Sequence, residues 1–556
     1  MGDVEEKMVC KSLMKNSRQL SSVFAKAVVG VCVLMLSACA AIKPSPVANW
    51  QARALNPQLD ISEAFPPAAP REFRAAWVST VANIDWPSRK DLTVAQQRAE
   101  IIAIVNRAKE LNLNALVLQV RPSADAIYAS AIEPWTEFLT GEQGRAPSPF
   151  YDPLKLWIDE AHDRGIELHA WFNPYRARHT AAKSSLSRIH IGVSNPAIVK
   201  SYGGYLWMDP GEAAAAKQTL DVILDVVRRY DVYGVHIDDY FYPYPVPVAG
   251  SNTTPPAEQD FPDDVSWQNY VKSGGKLARA DWRRQNVNEL IERVYNGIHR
   301  EKKWVKFGIS PFGLGRPDRR PPGIVGFSQY DKLYADVELW LNKGWLDYLA
   351  PQLYWPIDQP PQAFGVLLDY WLRENSPSRH IWPGLFTSRI DATAKSWQPQ
   401  EITNQIKLIR DRATVTTAGR GQIHFSMAAL IENRKHIGDD LKAQLYATPA
   451  LVPASPWLEN AAPSAPQVTL EQNKNVRVKI SPRADKAAAY FAIWAKYGMG
   501  KAGQWQFSVL PSTLKNASLE TDVPTATVAG VLTAIVVSAV DRVGNESPRV
   551  MLQPAN

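Results

Sequence analysis

Residues 234–243 read Gly-Val-His-Ile-Asp-Asp-Tyr-Phe-Tyr-Pro and predict a buried β-strand that ends just after placing carboxylates at its tip. Val235 and Ile237 alternate with His236 and Asp238, so an apolar face opposes a polar face. In a parallel α/β barrel, catalytic groups assemble at the carboxyl ends of the strands. Two aspartates at a strand end can also merely cap the next turn. A cap does not explain the flanking histidine and tyrosines.

Seven more apolar segments, separated by longer helical patterns, give eight candidate strands. They are residues 73–80, 114–122, 167–175, 234–240, 306–312, 347–355, 381–386 and 422–426. Such β–α alternation is typical of a parallel sheet, and eight units predict an α/β fold of the (β/α)₈ TIM barrel type over residues 71–450.

The C-terminal part of the chain has a different sequence pattern. From residue 464 onward, short alternating runs follow one another with no helical stretch between them. Residues 538–547 resemble the last hairpin of a fibronectin type III-like sandwich. We therefore expect a fibronectin type III-like β-sandwich over residues 464–556.

Composition sets wide bounds on function. A chain of 556 residues with 46% hydrophobic content can bury a large core. The net charge is +7, but the basic residues are spread along the chain and form no dense block. This pattern predicts no nucleic-acid partner.

The first residues resemble a bacterial lipoprotein signal. A short apolar run at 27–36 leads into Leu36-Ser37-Ala38-Cys39, the pattern of a lipobox. We expect a signal peptide over 1–38, lipid attachment at Cys39 and a proline-rich tether over 39–70. An uncleaved membrane anchor is the alternative, although the run is short for a span. Because Ala40 follows the cysteine, the expected location is the outer membrane, on its periplasmic face.

Two further expectations concern this N-terminal segment. Acidic residues in the first six positions are unusual for a signal peptide and favour a start at Met8 or Met14. Cleavage before Cys39 removes Cys10 and Cys32, which leaves no cysteine for a disulfide.

Polar and aromatic side chains recur on one alternating face of most predicted strands. Any one of them is more often a satisfied core group than a ligand, but their coincidence predicts a shared polar site. Rings and hydrogen-bonding groups together suit a glycan, whose C–H faces pack on aromatic rings. The residues expected to bind this substrate are Trp77, Gln119, Arg121, His169, Trp171, Asn173, His236, Tyr240, Ser310, Gln352 and Tyr354.

Glycoside hydrolysis needs two carboxyl groups, one acting as nucleophile or base and the other as acid. Asp238 is the candidate nucleophile because its position in the alternation points inward. Asp239 points to the opposite face unless the strand has already ended. The acid is then either Asp239 or a carboxyl group from another loop, with Asp125, Glu133, Asp336 and Glu338 as candidates.

A metal site is a competing hypothesis, because His169, His236, Asp238, Asp239 and His424 could in principle converge. No strand carries a His-x-His pair and no helix carries His-Glu-x-x-His. Glycine-rich nucleotide loops and the Gly-x-Ser-x-Gly elbow are also absent from the sequence. We therefore expect no metal and no cofactor.

Several long motifs between Arg71 and Ala429 occur in a fixed order. They lie at residues 71–78, 81–88, 118–122, 134–141, 169–176, 234–243, 281–288, 307–313 and 347–355, and include Leu118-Gln119-Val120-Arg121-Pro122 and His169-Ala170-Trp171-Phe172-Asn173-Pro174-Tyr175-Arg176. Together they resemble the glycosyl-hydrolase-like 10 family of bacterial envelope lipoproteins.

This resemblance implies a TIM-barrel glycosidase domain that is lipid-anchored and faces the periplasm. It also implies a peptidoglycan or related glycan strand as substrate, with Asp238 at the strand-four position where many barrel glycosidases carry their nucleophile. A non-catalytic glycan-binding lipoprotein is the alternative function.

Overall fold

A computed structural model describes residues 50–55, 65–414, 417–472, 475–483, 485–512 and 518–554. Residues 52–552 form one compact unit that contains both the parallel sheet and the C-terminal sheets. The signal peptide, Cys39 and most of the predicted tether lie outside the described residues. No helix in the described part of the chain has the length and apolar character needed to cross a membrane.

The core of this unit is a parallel sheet whose strands follow the predicted segments. They are β1 (Phe73–Val78), β2 (Ala115–Arg121), β3 (Glu167–Phe172), β4 (Gly234–Ile237), β5 (Lys306–Ile309), β6 (Tyr348–Leu349), β7 in two parts (His380–Ile381 and Gly384–Leu385) and β8 (Gly421–His424). Most are shorter than predicted, because their carboxyl ends turn into loops that carry the polar residues.

The sheet curls strongly along its strand order. The first part of β7 pairs with β6, while its second part pairs with β8, which in turn pairs with β1. Both ends of the hydrogen-bonded path therefore lie within residues 380–385, and the strands run in parallel throughout.

Helices cover the outside of the sheet between successive strands. The longer ones are Val94–Glu110, Pro153–Asp163, Ala213–Arg229, Asp264–Lys272, Arg279–Glu301, Val337–Lys343, Phe364–Arg373 and Pro399–Arg412. Shorter helices lie at Glu137–Thr140, Ile191–Ser194, Gln329–Lys332, Met427–Ile431 and Ile437–Asp440. A small antiparallel sheet of Arg176–Arg178, Val199–Tyr202 and Tyr205–Met208 extends the loop after β3.

Local sequence signals explain where the helices begin. Thr93 and Gln96 form a reciprocal capping box at the first turn of helix Val94–Glu110. The Asp152 carboxylate accepts a hydrogen bond from the Lys155 backbone N–H, and Pro153 stands at the first helical position.

The predicted alternation of faces within the strands is observed. Val235 and Ile237 pack in the large apolar core beneath the helices. Trp77, Trp171 and Tyr348 point instead into a separate cluster enclosed by the curled sheet. Apolar positions thus face the helices, and bulky or polar side chains fill the interior.

Antiparallel strands form the C-terminal part of the unit. One sheet contains Gln467–Gln472, Val476–Ser481 and Leu519–Val523. The other contains Tyr490–Tyr497, Gln504–Pro511, Ala526–Thr527, Gly530–Val540 and Val550–Pro554. These two sheets form a β-sandwich.

The sandwich packs on the curled parallel sheet at the amino ends of its strands. Tyr233, which immediately precedes β4, shares an apolar cluster with Tyr490, Trp494 and Val536. The Arg542 guanidinium lies 2.6 Å from the Asp231 carboxylate in the same region. These contacts lie at the end of the parallel sheet opposite to the carboxyl ends of its strands.

Glycines inside the barrel make room for large side chains. A Cβ atom at Gly308 would lie 2.0 Å from the Tyr348 ring, and one at Gly234 would lie 2.4 Å from His169 Nδ1. Both contacts are too short to exist, so these two strand positions require glycine to accommodate the neighbouring side chains.

We predict that Gly308→Ala lowers the free energy of unfolding by about 2–3 kcal/mol, because the Tyr348 ring has no space into which it can move. Urea denaturation measures the change. Gly365→Ala is the control, since the nearest atom to its Cβ is the mobile Leu408 Cδ2 at 3.1 Å. This helical substitution should stay within about 1 kcal/mol of wild type. Equal stability of the two variants would contradict the packing argument.

Candidate active site

A cleft of about 190 Å³ opens at the carboxyl ends of the parallel strands. Strand β4 ends at Ile237, so Asp238 and Asp239 both belong to the loop that follows it. The early end frees the second aspartate from the alternation of the strand, and both side chains line the cleft. The other lining residues are Trp77, Ser79, Val81, Ile84, Gln119, Trp171, Arg176, His179, Tyr240, Ser310, Gln352, Tyr354 and Phe425.

Asp238 is held from the side of β3. The Trp171 indole N–H donates to Asp238 Oδ2 at 3.0 Å, and the Asn173 amide donates to both carboxylate oxygens at 3.3 Å. Burial raises the pKa of Asp238 to about 7, against the lowering effect of Arg176, while the neighbouring charge of Asp239 adds to the rise.

Asp239 has different partners on the other side of the loop. The Tyr244 hydroxyl donates to Asp239 Oδ2. Burial raises the pKa of Asp239, although the hydrogen bond from Tyr244 opposes this shift. Burial therefore favours the protonated form of both carboxyl groups. One of them can then act as an acid while the other acts as a base.

Seven of the predicted substrate-binding residues line the cleft. These are Trp77, Gln119, Trp171, Tyr240, Ser310, Gln352 and Tyr354. The Gln119 side chain has a defined orientation, because its Oε1 accepts from the backbone N–H groups of Thr80 at 3.0 Å and Val81 at 2.8 Å. Its Nε2 is buried and has no hydrogen-bond partner among the described residues.

Four predicted residues lie outside the cleft lining. Arg121 is buried, and its Nε donates at 2.7 Å to Glu133. Asn173 is also buried, and it contacts the site through Asp238 and through the Arg176 backbone N–H. His169 and His236 lie in the barrel interior, below the cleft, where both rings contact the Tyr348 hydroxyl. The alternation placed these side chains on the correct face but did not reveal their depth.

The loop carboxylates suggested as acids have structural partners elsewhere. Asp125 accepts from the Ser123 backbone N–H and the Gln143 amide, and Glu133 pairs with Arg121. Asp336 caps a helix through the Leu339 N–H, and Glu338 accepts from the Tyr370 hydroxyl. In the part of the chain that the structure describes, no acidic residue other than Asp238 and Asp239 lines the cleft.

Several residues at the cleft were absent from the sequence prediction, and Arg176, His179 and Tyr244 are the ones that contact or lie beside its charged and aromatic groups. Arg176 lies in a short strand beyond β3, and its guanidinium stands 4.9 Å from the centre of the Tyr240 ring. His179 follows it, and burial lowers its pKa to about 4. Tyr244 contacts Asp239 from the loop after β4. The motif at residues 169–176 contains Arg176, but Pro174 interrupts the alternation that would have assigned its face.

The histidines of the hypothetical metal site remain apart. His424 Nδ1 lies 2.8 Å from the Thr387 hydroxyl, and its Nε2 lies 3.0 Å from the Tyr446 hydroxyl. Within the described residues, no group of three or more histidine, cysteine or acidic side chains is arranged to hold a metal ion.

Comparison with known families now identifies the chain. The model of the family Glycosyl hydrolase-like 10 matches residues 72–402. The chain belongs to this family. Its match spans β1 to β7 and includes both aspartates of the cleft.

Relatives of this family member include two curated bacterial proteins. Glycosyl hydrolase YngK of Bacillus subtilis is 38% identical over 493 residues, which are 86% of this chain and 92% of the relative. Glycosyl hydrolase DigH of Escherichia coli is 33% identical over 338 residues, covering 56% of this chain and 73% of the relative.

Solved structures show more distant likeness. The glycoside hydrolase domain of PgaB from Bordetella bronchiseptica has a TM-score of 0.43 at 12% identity, covering 67% of this chain and 98% of that one. The catalytic domain of a beta-amylase from Paenibacillus polymyxa has a TM-score of 0.46 at 11% identity, covering 68% and 99%.

We predict that Asp238→Asn stabilises the protein at pH 8 by about 2–4 kcal/mol, since a pKa raised by folding makes the ionised carboxylate unfavourable in the folded state. The sign follows from the titration. Below the unfolded pKa of aspartate both states are protonated, and the cost of ionisation grows as pH rises until it levels off above about 7. The advantage of the variant should therefore vanish near pH 3. Chemical denaturation across this range provides the measurement, and a pH-independent difference would contradict the assignment.

Proposed function

We propose that the protein is a glycoside hydrolase that cleaves a bacterial envelope glycan, with peptidoglycan glycan strands as its substrate. The observation that carries this proposal is the pair of buried carboxyl groups, Asp238 and Asp239, side by side in a cleft lined with aromatic rings. Membership of the Glycosyl hydrolase-like 10 family supports the same chemistry.

The two carboxyl groups supply the acid and the base of the reaction. Asp238 acts as the carboxylate, because Trp171 and Asn173 offer it only N–H donors, whereas the partner of Asp239 is the Tyr244 hydroxyl, which can also accept a hydrogen from a protonated carboxyl group. Asp239 carries the proton and delivers it to the glycosidic oxygen as the bond to the anomeric carbon breaks. The hydroxyl group of a water molecule bonds to the anomeric carbon while the water loses a proton to the Asp238 carboxylate, and transfer of that proton to Asp239 restores the pair.

Aromatic rings and polar groups around the pair bind the sugar. Trp77, Trp171 and Tyr354 provide apolar faces for the C–H bonds of a sugar ring. Arg176 supplies a positive charge beside the carboxyl pair and lowers the pKa of Asp238. It thereby limits how far burial can suppress ionisation of that group.

We also propose the finer features of architecture and location. The return of the strand path to residues 380–385 supports a closed (β/α)₈ barrel, and the C-terminal sandwich is fibronectin type III-like. The sequence at Leu36-Ser37-Ala38-Cys39 supports attachment of a lipid to Cys39 and a location at the outer membrane, facing the periplasm.

We predict that Asp238→Asn and Asp239→Asn each reduce glycan cleavage by at least about 10³-fold, since each removes one acid–base group from the reaction. Peptide-free glycan strands are incubated with mature protein, and mass spectrometry of the products reports the bond that is cut. Binding of the strands should persist in both variants.

Asp125→Asn is the matched control for this experiment. Burial raises the pKa of Asp125 to about 7, as for Asp238, but its carboxyl group lies away from the cleft. This variant should retain cleavage if it folds. A wild-type protein that releases no product, yet binds glycan as well as Asp238→Asn does, would instead show a non-catalytic glycan-binding protein. Loss of activity after prolonged treatment with EDTA would favour metal-dependent hydrolysis.

A further inference from the structure

A buried chain of polar side chains runs through the barrel toward the cleft. At its closed end, Lys306 Nζ lies 3.1 and 3.2 Å from the two oxygens of the Glu167 carboxylate. His169 Nε2 lies 3.0 Å from Glu167 Oε2, and His169 Nδ1 lies 2.9 Å from the Tyr348 hydroxyl. All four side chains are buried.

The chain continues from Tyr348 to the cleft lining. The Tyr348 hydroxyl lies 3.1 Å from His236 Nδ1. On the other side of the ring, His236 Nε2 is 3.2 Å from the Trp77 indole nitrogen and 3.0 Å from Ser310 Oγ. Trp77 and Ser310 both line the cleft, so the chain links the closed end of the barrel to the substrate side.

The donor and acceptor properties of these side chains determine the position of each hydrogen when the hydrogen bonds are followed from Lys306. The Glu167 carboxylate beside an ammonium group is ionised and can only accept, so His169 Nε2 carries a hydrogen. Burial lowers the pKa of His169, which keeps its ring neutral and makes Nδ1 an acceptor. The single hydrogen of the Tyr348 hydroxyl then points to His169, and His236 Nδ1 must donate to the Tyr348 oxygen.

The same assignment follows independently from the cleft end. The Trp77 indole nitrogen can only donate, so His236 Nε2 must be an acceptor. A neutral His236 then carries its hydrogen on Nδ1, as the argument from Lys306 requires. Ser310 Oγ lies 3.0 Å from this unprotonated nitrogen, so the only hydrogen bond open to the pair is one in which the serine hydroxyl donates and shares the nitrogen lone pair with the Trp77 N–H. The serine oxygen is left with lone pairs for any further partner.

Gln119 offers a hydrogen-bond donor to the same cleft, in which Ser310 offers an acceptor. Its Oε1 is fixed by the backbone N–H groups of Thr80 and Val81, which leaves Nε2 as a buried donor that lacks a partner among the described residues. An unpartnered buried donor is costly unless a ligand satisfies it. The cleft therefore holds one donor and one acceptor whose roles cannot be exchanged.

We propose that Gln119 Nε2 and Ser310 Oγ recognise the donor and acceptor groups of the bound sugar, and that Tyr348, together with Trp77, is a positioning residue that holds the His236 ring so that Ser310 acts as an acceptor. A fitting sugar presents an acceptor oxygen to Gln119 and a hydroxyl or amide hydrogen to Ser310. This inference rests on the proposed glycosidase function for its ligand, but the orientation of the chain is independent of that function.

The orientation is tested by nitrogen NMR on protein labelled at its histidines, with His236→Gln used to assign the His236 signals. The spectra should show His236 as the neutral form protonated at Nδ1 and His169 as the form protonated at Nε2. A His236 ring protonated at Nε2, or at both nitrogens, would overturn the proposal. This result needs no substrate, so it stands even if the protein cleaves no glycan.

The role of these hydrogen-bonded side chains is tested by a double-mutant cycle in which peptide-free glycan strands are the substrate. Ser310→Ala should raise KM about tenfold with little change in kcat, because a buried contact to the sugar is lost. Tyr348→Phe should raise KM in the wild-type background but not in Ser310→Ala, since Tyr348 acts through Ser310. Independent, additive effects of the two substitutions would overturn the positioning role.

Two further variants distinguish the proposed recognition of the sugar from a general disturbance of the structure. Gln119→Glu keeps the size of the side chain but replaces the unpartnered donor by an acceptor, and should raise KM at least tenfold. Tyr446→Phe removes another buried tyrosine hydroxyl that contacts a barrel histidine, His424, away from the cleft. It should leave KM unchanged. A Gln119→Glu variant with wild-type KM would refute the proposal that the sugar accepts a hydrogen bond from Gln119.

Discussion

The fold depends on satisfying the polar side chains that are buried inside the curled parallel sheet. A buried group without a hydrogen-bond partner costs about 1–3 kcal/mol, so polar residues on the inner faces must connect to one another. The ion pair of Lys306 with Glu167 begins such a connection, and the Trp77 indole ends it. Gly234 and Gly308 exist in their strands to leave room for the rings of this connection.

The sequence predicted the faces of the strands well because alternation is a purely local property. Val235 and Ile237 pack under the helices, while Trp171 and Ser310 reach the interior or the cleft. The same rule could not predict depth along the barrel axis. Depth separates Trp171, which touches Asp238, from His169, which lies one layer below it.

Other parts of the site escaped prediction because they belong to loops. The alternation rule directed Asp239 away from the cleft, but β4 ends at Ile237 and the rule no longer applies beyond that residue. Arg176 and Tyr244 reach the carboxyl pair from segments that have no strand periodicity linking them to the barrel. Arg121 is an error of the opposite kind, because it was predicted to bind substrate and instead forms an ion pair with the buried Glu133.

The position of the C-terminal sandwich has a consequence for how the protein divides its tasks. The sandwich contacts the barrel around Tyr233 and Asp231, at the amino ends of the strands, while the carboxyl pair lies at the opposite ends. No described residue of the sandwich lines the cleft, so a ligand can occupy the cleft without meeting the second module. Substitutions in the sandwich can therefore accumulate without altering the cleft, and substitutions in the cleft loops can accumulate without disturbing the contacts that hold the sandwich on the parallel sheet.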